Sequence, residues 1–504
     1  MFLLLIIAGC STPAPVTNNY YETVYEVAQD TGPETVPATV EDTGWQEIDP
    51  PSELDPTVTP EELALDPFAQ DGVVYWFDVS ETQVAQMNAD WQNGDYGWYG
   101  PLYSVDDEGS GDTYADHLYV FDGTNSADYG KVQATVVGQS SGTTWTTSTI
   151  PNLSLDSNEF VDGEYFDYAE LLDHGRLNNE SVGSMIGEPL ALSIWDAAGY
   201  AVPRTSYAYV GGTPWQDDKI LVPYAFVEVY KPAFCADHAD FFGGGCANIW
   251  EWYSYDISAA NVASINQFCE THDGCTTDRL SEFADAVDAN AYQEGFEAAT
   301  AEYFDWPAFQ TQMCLSWYAQ TGDDYVHNLN NIVMIEGDDG KFRVMPWSTD
   351  INAGLAWGGA WTGMDLWGYS TMSVGCEYDS QCWQETVDTC NGLLDQMEAL
   401  DPANTILPDL YERLRSAAAP WGDDGGDGML RSPDAGEYAV AYEFYSTRVD
   451  AAREELAAYV MPDGCSNPYA WDTGGSAGCG DTGAVDTATV DTGVVDTAVL
   501  DTAL

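Results

Sequence analysis

Basic residues are scarce in this chain. Only 13 Lys and Arg stand against 84 Asp and Glu among 504 residues, so the formal net charge is −71 at pH 7. Nucleic-acid binding depends on Lys and Arg side chains that neutralise phosphates, and this balance excludes it. The electrostatic field of so negative a chain also repels a nucleotide unless cations lie between them. Cation binding, adaptation to high salt and plain solubility are all compatible with the charge, which does not choose among them.

A hydrophobic run long enough to span a bilayer is missing at the N-terminus, where residues 1–10 read MFLLLIIAGC. This run resembles the end of a bacterial lipoprotein signal in which Cys10 is the acylated residue. The positively charged segment that normally opens such a signal is absent, and an ordinary signal peptide or a trimmed start stays open as the alternative. The sequence predicts an exported cell-envelope lipoprotein that faces the periplasm or exterior and touches the membrane through its lipid anchor only.

Histidine is also scarce, and no cysteine spacing with a neighbouring His matches a zinc site. Of the 11 cysteines, ten remain once Cys10 is set aside, which is an even number. Disulfides formed in an oxidising compartment account for them best, although sequence alone does not fix the pairing. The candidate pairs are Cys235–Cys246, Cys269–Cys275, Cys376–Cys382, Cys465–Cys479 and the long-range pair Cys314–Cys390.

The two ends of the chain have a low-complexity composition. Residues 11–71 are rich in Pro, Thr, Glu and Asp and contain no basic residue, which predicts a disordered acidic linker. Residues 461–504 include the repeat DTGAV-DTATV-DTGVV-DTAVL. Neither a helix nor a strand keeps one face at a period of five, so we expect a solvated Asp-Thr repeat tail, with calcium binding or Thr glycosylation as the alternative.

The most informative stretch runs from residue 321 to 354. Within it, the apolar run IVMI, the acidic turn EGDDG and the alternating run KFRVM predict a β-hairpin. Pairing Glu336 with Lys341 places Asn331 opposite Pro346 at the open end of this hairpin.

Acidic and amide side chains gather at that open end. Asn331 precedes the first strand, Asp350 follows the second, and Asp323 and Asp324 lie on the loop that enters the hairpin. Such oxygen ligands suit a hard divalent cation such as Mg²⁺. In protein kinases a loop Asp handles the acceptor hydroxyl, while an Asn and a later Asp hold the metal on the phosphates. Acidic turns are common in so acidic a chain, and Asp350 as a helix cap remains the alternative.

Three motifs follow one another in this stretch: DDYVHNLNNIVMI, GKF and MPWSTD. Together they resemble the core of the spore-coat CotH kinase-like family, whose pattern is an Asp-Gly-Tyr loop, an Asn before an apolar strand, Gly-Lys-Phe and Pro-Trp-Asp-x-Asp. The resemblance implies that Asp323 is the catalytic-loop aspartate and that Asn331 and Asp350 hold Mg²⁺ or Mn²⁺. Ser348 stands where the family has its first Asp after Pro-Trp.

The resemblance extends over residues 73–456 and implies a kinase-like domain at 72–460. The implied fold is α+β and bilobal, an atypical protein-kinase-like fold with a mixed N-terminal sheet lobe and a helical C-terminal lobe. Helices predicted at 280–304 and 306–319 lead into the Asp323 loop, as such a C-terminal lobe requires. Glu228 matches a nucleotide-site glutamate of the family, although a structural pair with a nearby Lys or Arg is equally open.

One departure from the family concerns the cation that contacts the nucleotide phosphates. The family carries a Lys-rich strand, whereas this chain has no Lys or Arg between Lys131 and Arg176. Nothing in the sequence chooses a replacement. The basic residues in range are Lys131, Arg176, Arg204, Lys219 and Lys231.

The resemblance therefore implies an exported, lipid-anchored protein kinase. It would transfer the γ-phosphoryl group of ATP, with a divalent metal, to a hydroxyl of an extracytoplasmic protein. A non-catalytic surface or structural binding protein on the same scaffold is the alternative, because the phosphate-binding Lys is missing and Ser348 replaces an Asp. A calcium-stabilised adhesin is a third possibility, which rests only on the acidic loops.

Overall fold

Strands dominate the first half of the chain and helices the second half, which gives an α+β fold. The computed structural model describes residues 50–63, 65–93, 113–136, 145–146, 151–156, 174–178, 185–214, 221–271, 274–350, 352–353, 355, 363–418 and 435–460. The predictions for Cys10, for the repeat tail, for Lys219 and for the pair Cys465–Cys479 lie outside these residues, as does the side chain of Arg176.

The larger sheet contains nine strands within the described residues. They are β1 (Val73–Asp78), β2 (Tyr114–Ala115), β3 (His117–Phe121), β4 (Ser126–Asp128), β5 (Val132–Val136), β6 (Leu153–Asp156), β7 (His174–Asn178), β8 (Thr205–Gly212) and β9 (Val222–Val227). Their spatial order is β2-β5-β6-β7-β9-β8-β1-β3-β4. All neighbours are antiparallel except β1 and β8, so the sheet is mixed.

A smaller three-stranded sheet is built from β10 (Cys246–Trp252), β11 (Ile332–Gly337) and β12 (Phe342–Met345), in that order. Strand β10 pairs along the whole of β11, although the Gly- and Cys-rich sequence around it shows no clear strand pattern. Residues Trp250 and Trp252 of this strand are buried. The flanking Gly and Cys residues make the strand hard to recognise from the sequence.

The predicted hairpin is β11–β12, but its register differs by one residue from the prediction. Glu336 pairs with Phe342 and not with Lys341. The reason is the turn, in which Gly340 adopts φ +72° while its N–H bonds to the Gly337 carbonyl at 2.9 Å. A three-residue connection with glycine in the left-handed region inserts a bulge that shifts the pairing.

Thirteen α-helices lie within the described residues. They are α1 (Pro60–Leu63), α2 (Glu81–Asn93), α3 (Gly187–Ala197), α4 (Pro232–Asp237), α5 (Ala239–Phe242), α6 (Val262–Ile265), α7 (Asp278–Asn290), α8 (Phe296–Thr300), α9 (Trp306–Ala319), α10 (Thr371–Glu377), α11 (Ser380–Leu400), α12 (Ile406–Ala418) and α13 (Ala435–Ala458). Short 3₁₀ turns occupy Ser52–Leu54 and Asn266–Phe268. Across the described part of the chain, none of the helices is long and apolar enough to cross a membrane.

Helix α9 has the bounds that the sequence predicted and is the most deeply buried helix of the second half. The Asp305 carboxylate accepts a hydrogen bond from the Ala308 N–H at its start, and Gln320 ends it in the left-handed conformation. Apolar residues all around this helix keep it in the core. The single helix predicted over 280–304 is instead divided into α7 and α8, because the chain turns at Gly295 with φ +86°.

Four of the predicted cysteine pairs are disulfide-bonded in the structure, with Cα–Cα distances of 5.1–5.7 Å. The long-range pair Cys314–Cys390 joins α9 to α11. The pair Cys376–Cys382 joins α10 to the start of α11. These two bonds fix the helices around α9.

The packed body begins before residue 72. Leu54, which the sequence placed in the acidic linker, is 1% exposed and packs with Trp76 and Tyr209 of the larger sheet. The Thr57 and Val58 N–H groups bond to the Ser126 carbonyl at 2.9 and 3.1 Å. The prediction of a linker up to residue 71 is therefore wrong from about residue 50 onward, because its few leucines suffice to dock the chain on the sheet.

The C-terminal end of α9 is held by an arginine of α13. The Arg448 guanidinium donates to the carbonyls of Tyr318 at 2.8 Å and Trp317 at 2.9 Å. It also pairs with Glu455 at 2.6 Å. Cations at this end of a helix satisfy carbonyls that have no partner within the helix.

We expect Arg448→Met to lower the free energy of unfolding by about 2–4 kcal/mol, because it leaves two buried carbonyls without a charged donor. Urea unfolding followed by tryptophan fluorescence measures the change. Arg453→Met on the same helix is the control, since Arg453 pairs with Asp395 and Glu398 at the surface, and we expect it to leave the midpoint nearly unchanged. Equal effects of the two substitutions would contradict the capping role.

Candidate functional site

The predicted catalytic aspartate lies on the segment that joins α9 to β11, called here the Asp323 loop (residues 321–331). The residue before the loop is Gln320, whose side-chain oxygen accepts a hydrogen bond from the Met364 N–H at 2.8 Å. The loop ends where β11 enters the three-stranded sheet at Ile332. A buried helix and a buried strand therefore fix both ends of the loop.

Asp323 is held by three asparagine amides. Its Oδ1 accepts hydrogen bonds from Nδ2 of Asn328 and, at 2.9 Å, from Nδ2 of Asn330. Its Oδ2 accepts one from Nδ2 of Asn331 at 2.9 Å. These uncharged donors orient the carboxylate without pairing it to a cation. The sequence places all three asparagines within eight residues of Asp323, but nothing in the sequence showed that they converge.

Burial raises the pKa of Asp323, and the neighbouring Asp324 carboxylate raises it further. The hydrogen bonds from the Asn328, Asn330 and Asn331 amides oppose these effects, because they favour the charged form. The net direction is upward. A carboxylate of this kind is oriented, partly exposed and more basic than usual, which are the properties of a general base.

Asn331 presents its two amide atoms to different surroundings. Its Nδ2 donates to the main-chain oxygen of Asp323 at 3.0 Å as well as to the carboxylate. Its Oδ1 therefore faces away from Asp323, and within the described residues no group donates to it. This orientation fits the predicted role of a metal ligand, which needs the amide oxygen.

Asp324 forms a buried ion pair with His327 inside the same loop. Its Oδ1 lies 2.9 Å from Nδ1 of His327, and the two side chains are 8% and 2% exposed. Nε2 of His327 faces the Asp365 carbonyl at 2.9 Å. Because both ring nitrogens face oxygen acceptors, the surroundings favour the protonated ring and raise the pKa of His327 despite burial. The sequence reasoning missed this role of His327, although its spacing of three residues from Asp324 was visible.

Asp350 lies on the segment that follows β12, called here the Asp350 loop (residues 346–353, of which 351 lies outside the described residues). Its Oδ1 accepts a hydrogen bond from the Ser348 hydroxyl at 3.1 Å. The Ala353 N–H donates to the Ala319 carbonyl at the end of α9, at 2.9 Å. Through this bond the Asp350 loop lies against the helix end from which the Asp323 loop starts.

The Asp350 loop also contacts the start of helix α3. Nδ2 of Asn352 donates to the Gly187 carbonyl at the start of α3, at 2.9 Å. Within the described residues, two buried atoms of the loop, Oγ1 of Thr349 and Oδ1 of Asn352, have no hydrogen-bond partner. Buried polar atoms are normally satisfied, so these two oxygens are exceptions close to Asp350 in the chain.

Backbone strain is concentrated in the two loops. Leu329, Asn331, Ser348 and Ala353 have φ values of +58°, +45°, +50° and +49°. They are four of the eight non-glycine residues with positive φ in the described part of the chain. Such residues cost energy and persist where the surroundings determine them, which is frequent at binding and catalytic sites.

Glu228 lies elsewhere, at the end of β9, in a bidentate pair with Arg204. Its Oε1 is 2.8 Å from one guanidinium nitrogen and its Oε2 is 3.1 Å from another. Glu228 is 3% exposed. Of the two interpretations that the sequence left open, the arginine pair is the one observed. A contact of Glu228 with a nucleotide stays a prediction.

Two other basic residues in range, Lys231 and Lys131, have partners as well. Lys231 pairs with Glu270 at 3.1 Å. The Lys131 ammonium lies 3.5 Å from the centre of the Tyr114 ring. Within the described residues there is also no group of three or more His, Cys, Asp or Glu side chains that could hold a metal. Any metal at the two loops would thus use a mixed set of carboxylate, amide and hydroxyl oxygens.

Comparison with known proteins gives one weak structural similarity. No family model matches the chain, and no curated protein matches it. Among solved structures, a similarity is found to the Shewanella oneidensis MR-1 toxin–antitoxin complex of HipA, HipB and operator DNA. It has a TM-score of 0.26 and 11% identity, and it covers 72% of this chain and 69% of that chain. At this level no argument about fold or function follows.

The pair of Asp324 and His327 predicts a stability that depends on pH. Contact with Asp324 and with the Asp365 carbonyl raises the pKa of His327 despite burial, so its contribution is complete below about pH 6.5 and is lost as the pH rises through the folded value. The pKa of Asp324 is lowered by His327, so its contribution is present above about pH 3.9 and is lost as the pH falls through the folded value.

We therefore expect Asp324→Asn to reduce the free energy of unfolding most between about pH 4 and pH 6.5, by about 3 kcal/mol, and less at higher pH. Denaturant unfolding at a series of pH values measures this difference. Asp128→Asn is the matched control, because it removes the partner of His117 in a solvent-exposed pair. A difference for Asp324→Asn that stays constant from pH 5 to pH 9 would rule out the ion pair.

Proposed function

We propose that this protein is an exported, lipid-anchored protein kinase of the CotH-like type. It transfers the γ-phosphoryl group of ATP, with Mg²⁺ or Mn²⁺, to a hydroxyl group of an extracytoplasmic protein. The observation that carries the proposal is the Asp323 carboxylate, held by three amides on a strained loop that lies beside the Asp350 loop. The bilobal kinase-like architecture of residues 72–460 belongs to the same proposal.

The donor set of the two loops fits a divalent cation. Asn331 offers an amide oxygen that no described residue engages, and Asp350 offers a carboxylate that is 7% exposed. Close to Asp350 in the chain, the Thr349 hydroxyl oxygen and the Asn352 amide oxygen have no hydrogen-bond partner among the described residues. Hard cations such as Mg²⁺ and Mn²⁺ prefer such oxygen ligands. When bound, the metal would neutralise charge on the ATP phosphates, which a chain with a net charge of −71 would otherwise repel.

Asp323 performs the proton transfer in the proposed reaction. Its carboxylate accepts a hydrogen bond from the acceptor hydroxyl and takes the proton while the hydroxyl oxygen bonds to the γ-phosphorus. The bond from that phosphorus to the bridging oxygen breaks, and ADP leaves. The raised pKa of Asp323 favours its acceptance of the proton, and the three asparagine amides keep the carboxylate in one orientation.

A non-catalytic surface or structural binding protein is the second candidate. It is supported by two ion pairs, Arg204 with Glu228 and Lys231 with Glu270. Both cations are already paired with carboxylates, so neither is reserved for binding a phosphate. It is also supported by Ser348, whose hydroxyl bonds to Asp350 at a position where the family has a second carboxylate. On this alternative the two loops would bind a partner without transferring phosphate.

Export and the lipid anchor at Cys10 are part of the proposal. The four disulfide-bonded pairs support an oxidising compartment. The expected partners are a nucleotide, an extracytoplasmic protein that is either a substrate or a surface partner, and the membrane through the lipid only.

Calorimetric titration of the full chain with ATP tests the proposal. We expect ATP to bind only when Mn²⁺ is present, and we expect Asp350→Ala to abolish the binding because it removes the carboxylate ligand. Asp323→Asn should keep the binding but lower the rate of phosphoryl transfer by about 10²–10⁴-fold, since it removes the base. Transfer is measured as phosphate incorporated into the chain or an added protein by mass spectrometry.

The matched control is Asp388→Ala on α11, where the same charge is removed from an exposed position. It should change neither binding nor transfer. Binding of ATP without metal, or binding that survives Asp350→Ala, would contradict the metal site. Metal-dependent binding without any transfer would favour the non-catalytic alternative.

A further inference from the structure

The turn that follows β10 contains a carboxylate whose hydrogen-bonding capacity is filled. Oδ1 of Asp256 accepts hydrogen bonds from the Tyr325 hydroxyl at 2.8 Å and the Ile257 N–H at 2.7 Å. Oδ2 accepts two bonds from Thr371, one from its N–H at 2.6 Å and one from its hydroxyl at 2.7 Å. Four donors match the four lone-pair sites of a carboxylate, so Asp256 joins three distant segments at one point.

One of those segments is the Asp323 loop. Tyr325 lies two residues after Asp323, is 1% exposed and packs with its ring 6.1 Å from the Phe309 ring of α9. The hydroxyl bond to Asp256 therefore fixes the side chain at its far end while the ring is held by the helix. A tyrosine held at both ends fixes the backbone of the loop from which Asp323 projects.

Two further contacts hold the loop from the same two sides. The Ser254 N–H donates to the Leu329 carbonyl at 2.7 Å, and both residues are left-handed, with φ values of +61° and +58°. On the other side, the N–H groups of Tyr369 and Ser370 donate to the Val326 carbonyl at 2.7 and 3.2 Å. The bonds from Thr371 to Asp256 join these two supporting segments to each other.

Removing the Asp256 carboxylate partly from water costs free energy. Burial raises the pKa of Asp256, which shows that the carboxylate is held in surroundings that disfavour its charge. Replacing buried polar groups by apolar ones of similar shape is often neutral for stability. A half-buried carboxylate that accepts four hydrogen bonds from its own turn, Tyr325 and Thr371 is thus explained better by the geometry it imposes than by stability. Strained residues such as Leu329 need surroundings that determine them.

We infer that Asp256 is a positioning residue for the proposed phosphoryl transfer. It acts through Tyr325 and holds the Asp323 loop in the conformation in which the Asp323 carboxylate meets the acceptor hydroxyl. The inference rests on the proposed function, and it assigns a role to a residue of the β10–α6 turn that touches neither the nucleotide nor the metal.

The test uses the full chain and compares Tyr325→Phe and Asp256→Asn with Asp288→Asn. The phenylalanine keeps the ring packing and removes only the hydroxyl. Asp288 is the matched control, because its carboxylate accepts a hydrogen bond from the Ala259 N–H at 3.0 Å in the same turn but has no bond to the loop. Two quantities are measured: the steady-state kinetics of phosphoryl transfer with ATP and Mn²⁺, and the hydrogen exchange of the amides of residues 323–331.

We expect Tyr325→Phe and Asp256→Asn to lower kcat by about 10²-fold, since a small displacement of a catalytic group costs that much, with little change in the KM for ATP. Exchange in residues 323–331 should become faster in both. Their effects should not add fully in the double variant, because both substitutions disturb the same contact between the loop and the side chain at position 256. Asp288→Asn should match the wild type in kinetics and exchange.

The outcomes separate the inference from the proposed function. If the wild type is active and Tyr325→Phe retains its kcat, the inference is overturned, whatever happens to exchange. A rise in KM with unchanged kcat overturns it too. If the wild type transfers no phosphate while exchange accelerates in Tyr325→Phe and Asp256→Asn only, the proposed function fails, whereas the placement of the loop by Asp256 is retained.

Discussion

Uncharged hydrogen-bond donors hold the carboxylates on which this structure depends. A chain with 84 acidic and 13 basic residues cannot give each carboxylate a cation. Asparagine amides orient Asp323, and a tyrosine, a threonine and backbone N–H groups orient Asp256. The described arginines serve elsewhere, as Arg448 does at the end of α9. Neutral donors fix direction without cancelling charge, so both carboxylates keep their charge, although the acceptor sites of Asp256 are already filled.

The framework that carries the two loops is a buried helix beside a small sheet. Helix α9 ends where the Asp323 loop starts, and the Asp350 loop bonds back to the same end through Ala353 and Ala319. The hairpin β11–β12 returns the chain between the two loops. Rigid elements thus surround both loops, which allows loop residues to keep strained conformations.

Local patterns in the sequence predicted the elements of the site, whereas contacts between distant segments were not predictable. The helix predicted at 306–319 has the bounds of α9, which Asp305 caps in the structure, and close spacing gave most of the disulfide pairs. The hairpin was recognised, but the left-handed Gly340 shifts its register, and a turn of this length allows either pairing. The contacts of Asp256 lie 69 and 115 residues away, and no local periodicity encodes such distances. For Glu228, the sequence could not choose between a contact with a nucleotide and a pair with a Lys or Arg, because a carboxylate at the end of a strand can take either role.

The disulfide Cys314–Cys390 links the middle of α9 to α11 and so connects thiol oxidation to the loop at the end of the helix. In a newly made chain whose thiols are still reduced, α9 would be held only by packing, and the Asp323 loop at its end would be less firmly positioned. The ordered arrangement of that segment would then follow the pairing of the thiols. The geometry of the Asp323 loop is in this way tied to the redox state of a cysteine on the helix that precedes it.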